Sequence, residues 1–312
     1  MKCTVCNNEI NNTIFNIKEM MFGYKTVFRY FECHECGCLQ LIDVPEDFSK
    51  YYAFKDYYSF KNDGIMKKFL KRKWIQYVLF KNSIIGKILS KKFKKSFFDI
   101  VALQNISKKT KILDVGCGSG DLIVALDGLG FDNVLGIDPY LEQSSEILKK
   151  KNINHLDDAD KFDLILFDHS FEHISDQSGT LNKIFNLLSE EGVCLIGMPI
   201  KNDYIWDLYG VNWVQIDAPR HVLLHTLKSF KILVEKSGLK ICDIIFNSNE
   251  LLFYGSEQYK QDIPLMDKKS YLINPERSIF SKKDIENFKT QSHKLNQKKS
   301  SDQCVFILKR DK

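Results

Sequence analysis

The stretch Lys111-Ile112-Leu113-Asp114-Val115-Gly116-Cys117-Gly118-Ser119-Gly120-Asp121 decides the fold of this chain. Its apolar half predicts a buried strand, its three alternating glycines predict a tight turn, and the apolar spacing that begins at Leu122 predicts a helix. Glycine is needed where the backbone takes a positive φ or lies against a ligand, and a helix start offers unpaired N–H groups. The stretch therefore predicts a nucleotide-like cofactor at this turn.

The details of the turn favour one class of cofactor. A dinucleotide fingerprint has a third glycine at the position that Asp121 occupies here, where it lets the helix pack closely on the strand. The carboxylate of Asp114 at the strand end suits a cationic, amine-bearing ligand such as S-adenosylmethionine (SAM). A second apolar run ends in Asp138 about 20 residues later, where a carboxylate can accept both ribose hydroxyls.

Four motifs resemble those of the class I SAM-dependent methyltransferases: Leu113–Gly120, Gly136–Pro139, Phe162–Asp176 and Glu190–Pro199. The resemblance covers roughly residues 108 to 250. It implies a Rossmann-like methyltransferase fold, SAM as the cofactor and S-adenosylhomocysteine as its product. The residues that it implies for cofactor binding are Asp114, Gly116, Cys117, Gly118, Gly120, Asp138, Pro139 and Asp168.

Strand and helix patterns alternate through this region, which predicts an α/β fold with a mostly parallel, doubly wound sheet of seven strands. We expect the strands near 111–116, 133–138, 153–156, 162–167, 193–199, 240–247 and 303–309. We expect helices near 119–128, 141–151, 176–189 and 227–237. Residues 255 to 300 are polar and lysine-rich, which indicates a loop plus one helix.

Two Cys-x-x-Cys pairs lie near the start of the chain, and their residues are Cys3, Cys6, Cys33 and Cys36. Each short spacing lets a pair hold one side of a tetrahedral ion, which predicts a zinc ribbon with one structural Zn²⁺. Free cysteines are the alternative, and Cys38 is a fifth thiol that a closed site of four does not need. A module this small cannot build a sufficient core, so the metal would supply folding free energy. Some methyltransferases of nucleotide-linked sugars, which this chain resembles, carry such a ribbon.

We expect three parts in the chain: the zinc ribbon over 1–45, an aromatic and basic helical linker over 46–107, and the methyltransferase domain over 108–312. In the linker, Tyr57 and Tyr58 suit either the wall of a sugar or nucleotide pocket or packing of the ribbon on the main domain. Residues 65–98 contain eleven Lys or Arg and no Asp or Glu, although the whole chain has a net charge of only +5. The segment predicts basic amphipathic helices that face an anionic acceptor, an anionic membrane surface, nucleic acid or only solvent.

The predicted strand over 162–167 runs into Asp168-His169-Ser170-Phe171-Glu172-His173. Ligands of such sheets collect beyond the carboxyl ends of the strands, so these side chains should emerge beside the transferred methyl group. Glu172 and His173 match the Glu-His pair that many small-molecule methyltransferases of this class have after their fourth strand. We expect His173 to be the general base, with Glu172 beside it and His169 and His221 as alternatives, because histidine titrates near neutral pH. The alternative is that these histidines only pack or orient the loop.

The polar and aromatic run from Asn212 to His225 lies between two elements, where α/β enzymes keep substrate specificity. We expect Trp213, Arg220 and His225 to contact the acceptor. The planar fork of Arg220 suits a phosphate because it binds two oxygens at once. A structural salt bridge between Arg220 and Asp217 is the rival interpretation.

Together these features predict SAM-dependent O-methylation of a saccharide, a nucleotide-linked sugar or a related phosphorylated small molecule, as in surface-polysaccharide biosynthesis. C- or N-methylation of a sugar, an RNA-binding methyltransferase or adaptor, and an inactive SAM-binding relative stay open. We expect no nucleic-acid partner, while peripheral membrane contact and the oligomeric state stay open. Lys2 and Cys3 follow Met1 without an apolar run, and no stretch approaches the about 20 apolar residues of a spanning helix. We therefore expect a cytoplasmic protein.

Overall fold

The computed structural model describes residues 1–52, 65–90 and 97–311. Its strands, in chain order, are β1 (Thr13–Lys18), β2 (Val27–Glu32), β3 (Leu39–Leu41), β4 (Ile112–Val115), β5 (Val134–Ile137), β6 (Leu148–Lys149), β7 (Phe162–Asp168), β8 (Leu188–Pro199), β9 (Leu223–Leu224), β10 (Leu239–Phe246) and β11 (Gln303–Arg310). Its helices are α1 (Ile65–Phe80), α2 (Ile84–Ser90), α3 (Phe97–Ala102), α4 (Asp121–Asp127), α5 (Gln177–Leu187), α6 (Asp203–Tyr209), α7 (Leu227–Glu235), α8 (Leu251–Lys260) and α9 (Lys282–Gln297).

Seven of the described strands form one mixed sheet in the order β10-β11-β8-β7-β4-β5-β6. Strands β4 to β8 pair in parallel, whereas β11 is antiparallel to both of its neighbours. The prediction of a seven-stranded, mostly parallel α/β sheet is therefore confirmed. The parallel pairing places the carboxyl ends of β4, β5 and β7 along one edge of the sheet, where ligands of such sheets bind.

Alternate residues of the central strands pack into two separate cores. Ile112 and Leu164 pack with residues of α1, α3 and α4 on one face, and Leu113 and Ile165 pack with residues of α5 and α7 on the other. Both faces of the sheet are thus covered by helices, which explains why these strands read as apolar runs rather than as an alternating pattern.

Two predictions in the region after β5 are wrong. The predicted helix over 141–151 does not form, because Ser145 Oγ accepts a hydrogen bond from Leu148 N–H and Ser144 Oγ accepts one from Lys150 N–H. Such side-chain bonds to the backbone compete with the helix. The sixth strand is Leu148–Lys149, and the predicted strand over 153–156 contains a short 3-10 helix, Ile153–His155.

The region from 251 to 297 is also more regular than predicted. It contains the two helices α8 and α9 rather than one. The first turn of α9 has a capping box in which Ser281 and Asp284 satisfy each other's backbone N–H groups. Seven residues of α8 are buried, among them Leu252, Phe253 and Tyr259.

The N-terminal segment forms a second, small sheet with the order β1-β2-β3-β9. Strand β9 comes from the far part of the chain and pairs with β3 through Leu39 and Leu224. The N-terminal module is therefore joined to the larger domain by backbone pairing as well as by side-chain packing. Among the described residues, no helix is long and apolar enough to cross a membrane.

Candidate functional site

The turn between β4 and α4 takes conformations that only glycine adopts without steric cost. Gly116, Gly118 and Gly120 have φ angles of 75°, 55° and 77°, all in the left-handed region. A Cβ at Gly116 would also collide with the Ser170 side chain. Two of these glycines line the cavity that opens beside the turn, so their lack of side chains leaves room there.

This glycine-turn cavity has a volume of about 350 Å³ and lies at the carboxyl ends of β4 and β5. Four of the eight predicted cofactor residues line it: Gly116, Gly118, Asp138 and Pro139. Sequence reasoning missed other residues that line it, including Tyr52, Tyr140, Lys151, Asn152, Asn154, Ser170, Ser175 and Asp176. Tyr140 and Ser170 come within three residues after a predicted strand end, which is a sequence signal, whereas the other six do not.

The other four predicted cofactor residues are not among the described residues that line this cavity. A Cβ at Gly120 would collide with the Leu148 side chain, and Cys117 Sγ lies close to Gly136. These two residues therefore act in packing the turn against the sheet. Asp114 is buried at the end of β4, and Asp168 ends β7.

Carboxylates occupy the carboxyl ends of three neighbouring strands near this cavity, and of these three Asp138 is the one among its described lining residues. Burial of Asp114, together with repulsion from Asp168 and Asp138, raises its pKa to about 7. The Asp138 carboxylate accepts hydrogen bonds from Gly118 N–H at 3.0 Å and from Tyr140 N–H at 2.8 Å. Such a concentration of negative charge favours a cationic ligand, which fits the sulfonium and ammonium groups of SAM.

A second cavity of about 500 Å³, the histidine cavity, shares His169 and His173 with the first. Its polar lining residues are His169, Glu172, His173, Gln215, Asp217, His221, Asn249 and Gln303. Its apolar lining residues are Met21, Val214, Leu251, Leu265, Met266, Leu272 and Ile273. The described residues that line it include no Lys or Arg. The structure thus brings together the three histidines that were predicted as candidate bases. His169 and His173 line both cavities, and His221 lines the histidine cavity.

His173 is oriented by two contacts on one side of its ring. Its Nδ1 lies 3.0 Å from the Arg220 carbonyl oxygen and 3.1 Å from the Tyr52 hydroxyl. A carbonyl can only accept, so Nδ1 carries the proton and donates it to Arg220. The other ring nitrogen, Nε2, is thereby left to accept a proton from a bound molecule.

His169 and Glu172 form a charged pair next to it. Glu172 is buried, which alone would raise its pKa, but the hydrogen bond from His169 at 3.3 Å is the largest of the interactions that lower that pKa to about 2. Burial lowers the pKa of His169, but the hydrogen bond to Glu172 and the charge of Glu172 outweigh burial and raise that pKa to about 9. His169 has φ of 53°, a conformation that is uncommon for non-glycine residues and concentrates at functional sites. As an imidazolium, His169 is a poor candidate for the base.

His221 lies in the turn that leads into β9 and is neutral. Burial and the neighbouring His173 lower its pKa to about 4. Its Nδ1 donates to the Gln215 carbonyl oxygen at 2.7 Å, which leaves the lone pair of Nε2 free. That Nε2 lies 3.8 Å from Glu172 Oε1 and 3.9 Å from Asp217 Oδ2.

The prediction that Arg220 holds an acceptor phosphate is wrong. The Arg220 side chain is fully buried, forms a bidentate ion pair with Asp217 and donates to the Tyr51 carbonyl oxygen at 2.8 Å. It also lies 3.5 Å from Glu19, which is itself fully buried. The rival interpretation of a structural salt bridge is the correct one, because these partners occupy the guanidinium.

Trp213 and His225 do not contact the histidine cavity either. The Trp213 indole is 1% exposed and donates to Asp302 at 2.8 Å. His225 is fully buried, with its ring nitrogens bonded to Ser229 and Gln177. Both side chains are therefore enclosed by the protein and cannot reach an acceptor. Tyr57 and Tyr58 lie outside the described residues.

The four predicted metal ligands converge in the N-terminal module. The Sγ atoms of Cys3, Cys6, Cys33 and Cys36 all lie within 4.8 Å of one another. Cys3 and Cys36 are 3.6 Å apart at sulfur, and Cys6 and Cys33 are 3.4 Å apart. A tetrahedral ion with Zn–S bonds of about 2.3 Å requires S···S distances of about 3.8 Å, so the geometry of the four thiols fits zinc.

The thiol cluster is connected to the turn that carries His221. Thr226 Oγ1 donates to the Cys36 carbonyl oxygen at 2.7 Å, and Leu41 N–H donates to the Val222 carbonyl oxygen at 2.9 Å. The Tyr30 hydroxyl donates to the His221 carbonyl oxygen at 3.0 Å. The position of His221 therefore depends directly on the N-terminal module.

Residues 68–244, more than half of the chain, match a family model described as a methyltransferase domain. A ubiquinone biosynthesis O-methyltransferase from Rhodopseudomonas palustris (strain TIE-1) is 24% identical over an alignment of 183 residues, and the match covers 50% of this chain and 70% of that protein. The corresponding enzyme of Psychrobacter arcticus is 29% identical over 122 residues, 33% of this chain and 47% of that protein. A SAM-dependent methyltransferase from Clostridium acetobutylicum is a structural neighbour with 15% identity, a TM-score of 0.42 and coverage of 80% of this chain and 100% of its own.

The raised pKa of Asp114 predicts a pH-dependent affinity for SAM. Below about pH 7 Asp114 is protonated in the ligand-free protein, and a cationic ligand favours its ionised form. Binding should therefore release a proton, and affinity should rise with pH between 5.5 and 7, by up to about tenfold per unit. Calorimetry in buffers of different ionisation enthalpy measures both effects. The control is Asp114→Asn, whose affinity should be nearly flat over this range, and an equal slope in the variant would contradict the assignment.

Proposed function

Because this chain belongs to the methyltransferase domain family and is a SAM-dependent methyltransferase, we propose that it methylates a hydroxyl of a small acceptor held in the histidine cavity. The glycine-turn cavity would hold SAM, with its cationic groups near the carboxylates of Asp114, Asp138 and Asp168. Asp138 would accept the ribose hydroxyls, since each of its oxygens retains a lone pair beyond its one backbone hydrogen bond. Tyr52 and Tyr140, stacked at 5.3 Å, offer aromatic surface on the same wall.

The observation that carries the proposal is that His169 and His173 line both cavities. SAM supplies an electrophilic methyl group on a sulfonium. A methyl group in the first cavity and an acceptor oxygen in the second would then meet beside these rings, and holding the two in line lowers the barrier. Oxygen as the acceptor atom is supported by the two relatives named O-methyltransferases and by basic nitrogens next to the meeting point.

The acceptor that we propose has a partly apolar body. Seven of the fifteen described lining residues of the histidine cavity are aliphatic or methionine side chains. The prediction that the acceptor is a saccharide or a nucleotide-linked sugar gains no support from the comparisons. The alternative of C- or N-methylation gains none either. A phosphorylated acceptor gains no support from this cavity, because its described lining lacks Lys and Arg and includes Glu172 and Asp217.

We propose His173 as the general base. Its Nδ1–H is fixed by the Arg220 carbonyl, so its Nε2 can take the hydroxyl proton as the oxygen attacks. His169 is held as an imidazolium by Glu172, and His221 lines only the histidine cavity. His173 is therefore better placed than either alternative.

We also propose that Cys3, Cys6, Cys33 and Cys36 hold one structural Zn²⁺. Four thiolates close the coordination shell, which leaves no position for catalysis. The ion would stabilise β1, β2 and β3 and, through Thr226 and Tyr30, the turn that carries His221. Cys38, whose Sγ lies 3.3 Å from that of Cys36, stays outside the set, because the sulfur atoms of the other four cysteines already converge within 4.8 Å of one another.

A methyl-transfer screen with labelled SAM tests the function. The acceptors should include phenols and other hydroxylated molecules with apolar bodies, nucleotide sugars, free glycans and RNA. We expect transfer to oxygen in the first group, with kinetics that depend little on salt. A preference for phosphorylated acceptors with salt-sensitive Michaelis constants would overturn the acceptor class, and a product methylated on carbon or nitrogen would overturn O-methylation.

Replacing His173 by Ala should lower turnover by about 10²–10⁴-fold, the usual contribution of a general base. SAM affinity should stay nearly unchanged, because the carboxylates that favour the cationic cofactor are retained. Single-turnover rates and calorimetry measure the two quantities. The exposed His293 on α9 provides the matched control, and His293→Ala should behave like the unmodified protein. A fully active His173→Ala protein would rule out the base assignment.

Elemental analysis of protein purified without added metal should find one zinc per chain. Removing the ion with a strong chelator should lower the melting temperature and also weaken acceptor turnover, because the module supports the His221 turn. Cys33→Ser should reproduce both losses, whereas the exposed Cys242→Ser should reproduce neither. Less than half an equivalent of any metal in the purified protein would contradict the prediction.

A further inference from the structure

Three side chains in the histidine cavity are arranged as metal ligands are. One potential ligand atom each of Glu172, His173 and His221 lies within 4.8 Å of the others. Glu172 and His173 follow β7, whereas His221 precedes β9. A backbone hydrogen bond from Val222 N–H to the Glu172 carbonyl oxygen, 3.0 Å long, holds the two segments together. The cluster is therefore built by the fold and not by adjacency in sequence.

Both histidines line the cavity and use the same ring nitrogen in a hydrogen bond to the backbone. Each uses Nδ1 to donate to a backbone carbonyl, His173 to Arg220 at 3.0 Å and His221 to Gln215 at 2.7 Å. A second hydrogen bond of this kind is the normal companion of a metal-binding histidine, since it fixes the tautomer and leaves the opposite nitrogen to coordinate. Because two rings from separate segments have this arrangement in one cavity, we expect them to bind the same ion.

Glu172 supplies the observation that points to a cation. The residue is 1% exposed, and its Oε1 faces His169 at 3.3 Å and His221 at 3.8 Å. Its buried Oε2 has no hydrogen-bond partner among the described residues. An unpaired buried carboxylate oxygen is costly and calls for an explanation such as a bound ion. Asp217 is 3.9 Å from His221 but is engaged by Arg220.

We propose that Glu172, His173 and His221 bind one divalent first-row transition metal ion in the histidine cavity. Two imidazole nitrogens and one carboxylate oxygen form a donor set that suits such ions and leaves coordination positions open. Bonds of about 2.0–2.2 Å place the ligands of one ion about 3–4 Å apart, which matches the 3.8 Å between His221 Nε2 and Glu172 Oε1. The open positions would face the acceptor.

The role of this ion rests on the proposed function. A divalent ion that contacts the acceptor oxygen would favour its deprotonated form, as it does for bound water. In the metal-bound protein His173 would be a ligand instead of the base proposed above, and the hydroxyl proton would pass to solvent. An acceptor with two neighbouring oxygens would gain most, because both could reach open positions of the same ion.

Manganese binding tests the site without any acceptor. Mn²⁺ prefers nitrogen and oxygen donors to thiolates, so its electron paramagnetic resonance signal reports on this site rather than on the cysteines. We expect one saturable Mn²⁺ per chain, and affinity at least tenfold lower in Glu172→Gln and His221→Ala, because loss of even an outer-shell partner of a metal ligand costs about 10- to 100-fold. His293→Ala is the control and should bind normally. An unchanged SAM affinity in Glu172→Gln shows that this near-isosteric variant is folded. The absence of saturable binding, or equal binding by Glu172→Gln, would overturn the site.

Methyl transfer separates this inference from the function on which it rests. Protein treated with a chelator that removes Mn²⁺, while elemental analysis shows the zinc retained, should lose activity and regain it on addition of Mn²⁺. Full activity without the ion would refute the metal site and leave the methyltransferase proposal, with His173 as base, intact. Saturable Mn²⁺ binding with no transfer to any acceptor would support the site and count against the proposed acceptor class.

Discussion

The buried guanidinium of Arg220 is the interaction on which the arrangement of this site depends. It forms an ion pair with Asp217 in the same turn and donates a hydrogen bond to the Tyr51 carbonyl oxygen, which follows the N-terminal module. It also lies 3.5 Å from Glu19 in that module. The backbone carbonyl oxygen of Arg220 accepts a hydrogen bond from His173 Nδ1–H. Removing one partner of such a buried pair costs about 3–5 kcal/mol, because the other charge stays buried and uncompensated. The Arg220 side chain thus fixes three segments of the chain, and its backbone carbonyl orients the ring of a proposed catalytic histidine.

The N-terminal module therefore does more than precede the methyltransferase domain. It contributes Met21 to the histidine cavity, and the backbone N–H groups of Leu265 and Met266 donate to the carbonyls of Met20 and Met21. Its third strand pairs antiparallel with β9, which begins one residue after Val222. Since the strands of so small a module need additional support to fold, the order of the thiol cluster and the shape of the acceptor side are physically linked.

The local parts of this fold were predictable from the sequence, and the parts formed by distant contacts were not. The glycine turn was predictable because three positive φ angles demand glycine wherever the chain goes next. The cysteine cluster was predictable because each Cys-x-x-Cys pair places two thiols side by side through local geometry alone. Arg220 was misassigned because its true partners, Glu19 and Tyr51, are far away in sequence and a lone Asp217 could not decide between a salt bridge and a phosphate. The prediction of a helix over 141–151 was wrong because the hydroxyls of Ser144 and Ser145 accept hydrogen bonds from backbone N–H groups. The spacing of apolar residues does not reveal such bonds.

Electrostatics separates the roles of the two cavities. Carboxylates at three strand ends make the glycine-turn cavity favourable to a cation. The pKa of Asp114, raised by burial and by repulsion from Asp168 and Asp138, shows that its charge is unfavourable when no cation is bound. The histidine cavity also carries carboxylates, Glu172 and Asp217, but here the His169 imidazolium offsets Glu172 and Arg220 offsets Asp217. An acceptor phosphate would meet Glu172 there without a lining Lys or Arg among the described residues. Two basic residues of α1 are engaged at α4 instead, where Lys71 pairs with Asp121 at 3.5 Å and Arg72 donates to the Gly128 carbonyl. The charge of this helix thus acts, at these two positions, in packing the domain.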